Sequence, residues 1–415
     1  MENDVTETRI VLKNCGKIDP GDISTYLAAD GFKAWKRCEE ELSPEEVIRE
    51  IKSSQLLGRG GAGFNCGLKW ELARKAKGEE KYLICNADEG EVGTFKDRYI
   101  LTCDPFSFME GLAIAGYAIG VKRAYIYLRA EYHYLLDTLK QALQQVKDLG
   151  FLKHLDIQIV EGAGAYVCGE ESALMESIEG RRGEARFKPP FPTDQGLFNH
   201  PTVINNVETL SNIPQIILKG AGWFNVLGTG KSKGTKVFSV SGDVDLPGVY
   251  EVLMGTPIKK LVVNLAGANE IKAVQVGGAS GRILPKALLD TPLAYEQVLG
   301  SGAVIVLNRQ RDILDVVYRN MEFLADESCG KCTPCREGTE VMMEIYSRLV
   351  NGEGKEEDIQ ALEDLSRTMM QASLCGLGQS APIPVLDSLK YFKDEYKQRL
   401  AQSGYLRTLK FVGRA

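Results

Sequence analysis

Cys329, Cys332 and Cys335 stand at three-residue intervals, and Cys375 follows well downstream. Thiolates crowded at that spacing surround a small tetrahedral ion poorly, but they suit three corners of an iron–sulfur cube whose fourth corner is closed by a distant cysteine. The carboxyl-terminal part must therefore fold back on itself. From Arg311 onward the apolar pattern is helical over Ile313–Leu324, Glu337–Leu349, Glu356–Met370 and Val385–Leu400, which predicts an antiparallel four-helix bundle with the cysteines in loops at one end. Zinc is the weaker reading, because its sites use separated Cys-x-x-Cys pairs or histidine, and His133, His154 and His200 lie far upstream. Disulfides fit less well still: Met1-Glu-Asn-Asp is not a basic, apolar leader, and ten cysteines in 415 residues is not a disulfide-dense composition. Such a chain is expected to move electrons.

A chain of 415 residues exceeds the size at which one core keeps growing, so roughly two to four domains are expected. With 44% hydrophobic and 26% charged residues, long disorder is not expected. The net charge of -6 gives no support to nucleic-acid binding. The longest apolar stretches, Leu112–Ile119 and Val298–Leu307, fall short of the roughly 20 residues that cross a bilayer. Any membrane association is expected to come through partners.

The first 55 residues read as polar connection and then a helix, started by Ser43-Pro44 and carrying Val47, Ile48, Ile51 and Leu56. Between Trp70 and Gly220 short apolar runs alternate with helical patterns. Tyr82–Cys85, Ala124–Leu128 and Leu155–Val160 read as strands and Tyr134–Leu149 as an amphipathic helix, giving an α/β layer structure with a largely parallel sheet. From Lys236 to Leu307 the texture is β-rich: Val237–Val240, Gly248–Val252, Ala273–Val276 and Ala303–Val306, with a helical stretch at Thr256–Leu265. A small mixed sheet with one helix is expected there.

Gly58-Arg-Gly-Gly-Ala-Gly63 contains a G-x-G-x-x-G match, but it follows a helix where the dinucleotide fingerprint needs a strand. Its glycines suit either a tight turn or a loop whose backbone N–H groups approach a phosphate, with the helix at Lys69-Trp70 beyond. Glu161-Gly-Ala-Gly-Ala-Tyr-Val-Cys-Gly-Glu-Glu171 has the strand, glycine turn and helix order of phosphate-binding units. Glu170 and Glu171 at the helix start would repel a phosphate there, and suit sugar hydroxyls, a carboxamide, or helix capping. Asn86-Ala-Asp-Glu-Gly-Glu91 follows a strand where sheet topology puts ligand loops, although a solvated turn has the same composition. Lys188-Pro-Pro-Phe-Pro192 is a stiff basic and aromatic loop, and Ile204-Asn-Asn-Val-Glu-Thr209 reads as a helix start. Together these loops point to a bulky phosphorylated cofactor. The other six cysteines share no spacing and read as buried, inert thiols.

These segments, with Glu327-Ser-Cys-Gly-Lys-Cys-Thr-Pro-Cys-Arg-Glu-Gly338 and Ser373-Leu-Cys-Gly376, resemble the NADH-binding flavoprotein subunit of respiratory complex I over nearly the whole chain. The resemblance implies a Rossmann-like FMN-binding domain over residues 70–235, preceded by a helical segment with the glycine-rich loop over 1–69. It implies a ubiquitin-like (β-grasp) domain over 236–310 and a helical bundle with a [4Fe–4S] cluster over 311–415. It places cofactor contacts on Gly58, Arg59, Gly60, Gly61, Gly63, Lys69, Asn86, Asp88, Tyr166, Gly169, Glu170, Glu171, Ile204, Asn205, Asn206 and Thr209. NADH contacts fall on Phe64, Glu91, Lys188 and Phe191, with Glu171 near the nicotinamide, and cluster ligands on Cys329, Cys332, Cys335 and Cys375. Departures are local: Asn65-Cys66 stands where the family has Pro-Thr, and Val92 where it has Pro.

The implied activity is NADH:quinone oxidoreduction. A hydride would pass from NADH to FMN without a protein acid or base forming a bond, and single electrons would then pass to the cluster. Glu91 and Glu171 would hold the nucleotide. A thioredoxin-like [2Fe–2S] subunit and a larger multi-cluster subunit are the implied partners, and the implied location is cytoplasmic, peripheral on the inner face of the membrane. Related diaphorase subunits serve NAD-linked hydrogenases and formate dehydrogenases; the lack of cysteines for extra clusters favours complex I. Acids near the ribose would disfavour the 2′-phosphate of NADPH.

Overall fold

A computed structural model describes residues 7–401; residues 1–6 and 402–415, the outer ends of the first and last expected domains, lie outside the described residues. Four parallel strands, β1 (Tyr82–Ala87), β2 (Arg123–Leu128), β3 (Asp156–Glu161) and β4 (Thr202–Asn206), form a sheet in the order β3-β2-β1-β4. Along β1, Leu83, Cys85 and Ala87 enter one core while Tyr82 and Ile84 enter another, which is why the run is apolar at consecutive positions. β4 corrects the expectation that Ile204–Thr209 begins a helix. The strand pairs Ile204 with Ile84, and the helix Val207–Lys219 starts only after Asn206, whose side chain accepts from Glu208 N–H. Two asparagines after a short apolar run look like a cap, and the pairing with β1 is what makes the run a strand. Because β2 and β4 lie on opposite sides of β1, the loops leaving β1 and β4 diverge at a topological switch point, where open α/β sheets bind ligands.

The first 55 residues are less loop than their polarity suggests, since Ile23–Ala28 and Lys33–Glu41 are helices ahead of Pro44–Ser53. Phe32, Trp35 and Cys38 share one core with the helices Pro105–Ile119 and Val207–Lys219. The buried Glu110 carboxylate on Pro105–Ile119 accepts from Tyr26 O–H at 2.6 Å and from the N–H groups of Phe32 and Trp35 at 3.0 Å each. The other sheet face is covered chiefly by Glu171–Ile178.

The second sheet comprises β5 (Thr235–Gly242), β6 (Gly248–Leu253), β7 (Ile271–Val276), β8 (Arg282–Pro285) and β9 (Ala303–Asn308), in the order β6-β5-β9-β7-β8. β5 and β9 run parallel and the other pairs antiparallel. The helix expected at Thr256–Leu265 is present and passes into a π-helical turn over Lys260–Leu265, packing Leu261 and Val262 on one sheet face. Ala273, Ile283 and Leu307 of this sheet join the core of the carboxyl-terminal helices.

Those helices are Ile313–Asp326, Thr333–Val350, Glu356–Ala372 and Ile383–Tyr391, the last followed after Phe392 by a helical run at 393–401. The second begins at Thr333 and not at Glu337, with Pro334 in its first turn where a missing N–H costs nothing. Cys335 is therefore helical and not in a loop, while Cys332 caps the helix. Among the described residues no helix is long and apolar enough to cross a membrane.

Candidate active site

A cleft of about 1230 Å³ opens at the switch point. Asn86 and Asp88 reach it from the end of β1, and Ile204, Asn205, Asn206 and Thr209 from the end of β4 and the helix beyond. Gly58, Gly60, Gly61, Gly63, Phe64 and Lys69 form one side, Tyr166, Gly169, Glu170 and Glu171 another, and Glu91, Lys188 and Phe191 complete the set. Arg59 is the exception among the residues singled out in the sequence. Its side chain is wholly buried and turned back into the loop, with its guanidinium donating to the carbonyls of Leu57 at 3.2 Å and Lys233 at 2.5 Å. Those two carbonyls take its Nη groups, while its Nε is buried without a hydrogen-bond partner.

The glycine loop closes on itself, Gly58 N–H donating to Phe64 O at 2.8 Å. Gly63 has φ +70°, and a Cβ there would come within 2.7 Å of the Tyr295 ring, so only glycine fits. Asn65 caps the helix Cys66–Lys75 by accepting from Leu68 N–H, which accounts for asparagine at that departure. Behind the loop, Trp70 Nε1–H donates to Asn205 Oδ1 at 2.8 Å and the buried Cys66 thiol lies 3.9 Å from the same oxygen. The Asn205 oxygen is thereby occupied, and its NH₂ group is the end left for the cleft.

Asp88 carries the clearest sign of a ligand. Its Oδ2 is buried without a hydrogen-bond partner, and burial pushes the carboxyl up to about 7 even with Arg129 nearby. An orphaned acceptor on a cleft wall is satisfied by a ligand N–H or O–H. Gly169 lets the two walls approach closely, since a Cβ there would lie 3.3 Å from Asp88 O.

Glu170 does cap the helix Glu171–Ile178, accepting from the N–H groups of Ser172 and Ala173, while its other oxygen takes Lys188 Nζ at 2.9 Å. Glu171 sits between Lys188, at 2.6 Å, and Lys69, at 3.7 Å. Burial would raise its pKa, but the two ammonium groups outweigh it and hold the carboxyl below its usual range. Glu91 is clamped instead of free: it accepts from Tyr166 O–H and Ala279 N–H, each at 2.7 Å, and burial raises its pKa. Gly278, at φ +80°, makes room for it, since a Cβ there would collide with Glu91 Cγ. Tyr166 N–H donates to Glu327 at 2.9 Å and its ring packs edge-on to Phe323, so this one residue joins the first sheet, the second sheet and the bundle.

Sequence reasoning missed the remaining walls. Glu89, Lys96 and Asp97 line the floor, while Gly277, Ser280 and Gln297–Ser301 from the second sheet and Gly376–Ile383 from the bundle close the far side. Gly277-Gly278 and Gly300-Ser301-Gly302 were the available signals, as glycine clusters at the ends of expected strands.

All four cysteines of the motif line one small cavity together with Val167, Leu374 and Leu377. Leu374 N–H points at Cys332 Sγ at 3.4 Å, and Ser328 Oγ lies 3.3 Å from Cys335 Sγ. Among the described residues no three His, Cys, Asp or Glu side chains close around a single metal-ion position, whereas four thiols surround this cavity, an arrangement that fits a cluster. Burial pushes the Cys335 thiol up to about 11, and a cluster held there would supply the positive charge that favours its thiolate. Val167, Cys375 and Leu377 line this cavity and the large cleft alike. The six other cysteines are free thiols, all buried but the half-buried Cys103.

Residues 51–215 match the family described as the Nuo51 FMN-binding domain, and residues 315–399 the NADH-ubiquinone oxidoreductase-F iron-sulfur binding region. The chain is 42% identical over 409 residues to the NADP-reducing hydrogenase subunit HndC of Solidesulfovibrio fructosivorans, covering 94% of this chain and 83% of that one. It is 41% identical over 405 residues to an NADH-quinone oxidoreductase subunit of Rhizobium meliloti, covering 93% and 96%. A crystal structure of an NAD⁺-reducing [NiFe]-hydrogenase in the H₂-reduced state superposes with a TM-score of 0.87 at 39% identity, over 95% of this chain and 68% of that one. The first sheet thus belongs to an FMN-binding domain and the cysteines to a [4Fe–4S] region, and the chain is a member of the family of NADH-oxidising flavin and iron–sulfur subunits shared by NADH-quinone oxidoreductases and NAD(P)-reducing hydrogenases.

Proposed function

We propose that the chain is the diaphorase subunit of an NAD(P)-linked hydrogenase or formate dehydrogenase complex. The observation that carries the electron path is the shared wall: Cys375 borders both the cleft and the cysteine cavity, so a cluster held by Cys375 would adjoin a flavin held in the cleft. When bound, FMN accepts a hydride from NADH, and the cluster accepts electrons one at a time.

The chain's own residues bind, orient and tune. Asn205 NH₂ and the Asp88 carboxylate would hold polar groups of a bound flavin, the glycine loop would take its phosphate, and Phe64 and Phe191, both exposed at the mouth, would offer ring faces to the nucleotide base. Glu171 and Lys188 form a rim pair that exchanges partners when a nucleotide enters. Glu171→Gln is expected to change NADH or NAD⁺ affinity more than FMN retention; equal nucleotide affinities in variant and parent count against this role. The strand order of the second sheet, a hairpin pair flanking a central last strand, supports the β-grasp reading.

Support for the hydrogenase branch comes from the HndC relative and the superposed hydrogenase structure. The complex I reading stands second, favoured by the 96% coverage of the Rhizobium meliloti protein. A thioredoxin-like [2Fe–2S] subunit and a larger multi-cluster subunit would be the partners in the complex I case, holding the chain peripherally on the inner membrane face. An anaerobic NADH titration tests the common core: flavin bleaching should be followed by a reduced-cluster spin signal. The complex isolated on this chain then decides the branch. Hydrogen- or formate-dependent NAD(P)⁺ reduction supports the proposal, and inhibitor-sensitive quinone reduction by NADH alone replaces it with complex I.

A further inference from the structure

We propose that Arg186, which lines no part of the cleft, is a positioning residue for the nucleotide: its guanidinium closes the base of the loop that presents Lys188 and Phe191, a role that rests on the NADH reading above. Its Nη2–H donates to Glu179 Oε2 at 2.8 Å, its Nη1–H to Gly196 O at 2.9 Å and its Nε–H to Glu176 Oε1. Glu176 lies on the helix Glu171–Ile178 and Glu179 directly follows it, whereas Gly196 stands on the far stem of the loop. One side chain therefore ties both stems to one helix. The backbone adds to this, since Arg186 N–H donates to Ser172 Oγ at 2.9 Å and that hydroxyl donates to Glu170 in turn.

Lys188 reaches the same helix through Glu170, at 2.9 Å, and Glu171, at 2.6 Å, but all three of these side chains border the cleft. A half-exposed ion pair holds weakly, and a ligand entering the cleft competes for it. The loop needs an anchor that the ligand leaves alone. Thr202 N–H, donating to Pro192 O at 2.7 Å, pins the far stem to β4. Arg186 pins the near stem, and its carboxylate partners Glu176 and Glu179 are buried away from the cleft, with side chains 14% and 4% exposed. A loop fixed before the nucleotide arrives leaves less ordering for binding to oppose.

Charge alone does not account for arginine here. Arg181 bonds the same two carboxylates from a position ahead of the loop, more than half exposed, so they keep a counter-ion without Arg186. Geometry does account for it. A planar guanidinium sends N–H groups to Glu176, Glu179 and Gly196 O together, and the ammonium of a lysine, a point charge on a flexible stem, does not span the three.

The test is steady-state oxidation of NADH by a one-electron acceptor, using the full chain loaded with flavin and cluster. Arg186→Lys should raise the NADH KM by about tenfold while kcat and flavin content stay within about twofold of the parent. Arg181→Met, which removes a guanidinium from the same carboxylates, should leave KM within about twofold. In a Lys188→Met/Phe191→Ala background, adding Arg186→Lys should change KM by less than about twofold, because the groups it positions are gone. An unchanged KM in Arg186→Lys, an equal rise in Arg181→Met, loss of flavin, or a full rise in the double-variant background overturns the inference and leaves the NADH reading intact. Should Arg186→Lys fail to fold, Ser172→Ala, which removes the acceptor of Arg186 N–H, reads the same quantity: KM should rise by about threefold, and an unchanged KM overturns the inference. A parent chain whose flavin NADH does not bleach removes the NADH reading, and this inference with it.

Discussion

The cysteine cavity and the cleft share a wall but are built on opposite principles. Three of the four thiols lie within one heptapeptide, Cys329–Cys335, and need only the fold-back of two helices to meet Cys375. The cleft draws on segments from Gly58 to Ile383, including both sheets and the end of the bundle. A site held by metal–sulfur bonds tolerates a small, local scaffold, whereas a site that must hold a large flavin and admit a nucleotide needs several independent loops fixed by a common core.

That contrast is open to attack at its junction first. Cys375→Ser should remove the cluster's spin signal and electron delivery to one-electron acceptors while NADH still bleaches the flavin; loss of bleaching as well would show that the two sites are not separable. Glu208→Ala leaves Lys96 and Lys236 buried with the acceptor they share gone, and should destabilise the chain by roughly 3–5 kcal/mol in urea or thermal unfolding. A change below about 1 kcal/mol, the range of exposed pairs, would show that water reaches the floor.

Asp88→Asn sharpens the comparison through pH. The parent carboxyl titrates at about 7 because burial penalises its charge. Above that pH the carboxylate accepts a ligand's N–H; as pH falls through about 7 it protonates, and riboflavin affinity should fall by up to about tenfold per pH unit. In the flavin-free protein the sign is reversed: the folded chain holds a proton that the unfolded chain releases, so this group's contribution to stability declines as pH rises from the ordinary carboxylate range to about 7. The asparagine variant should show neither dependence. Lys188→Met has the smallest expected effect. Its ammonium is about a quarter exposed at the rim, so nucleotide KM should change by less than about fivefold, with flavin retention unaltered. An equal loss of flavin would show that Lys188 holds the flavin as well as the nucleotide.

Much of this was legible in the residues. β1 and β2 follow from apolar runs bounded by turns, because strands buried on both faces have little need of polar positions, whereas β3, at the sheet edge, exposes Asp156, Gln158 and Glu161. The cleft-lining glycines and asparagines followed from resemblance and from their places after strands. β4 and the helices before Pro44 were not legible, since Thr202–Asn206 is extended only because β1 offers it hydrogen bonds, and Phe32 and Trp35 are buried only because Glu110 and the helix Pro105–Ile119 receive them. The direction of the Arg59 side chain was not legible for a similar reason: its acceptors, Leu57 O and Lys233 O, come from two loops whose proximity no local pattern records.

The sequence by itself determined the chemistry available: four thiols at cluster spacing, loops that let backbone approach a phosphate, and acids and lysines in the segments that border the cleft. Only the tertiary structure decided which charges stay dry. Nothing along the chain marks Lys96 and Glu208 as buried, yet with Lys236 they meet where two sheets pack and exclude water, and the protonation of such groups is set by whatever surrounds them in space, not by their neighbours in sequence.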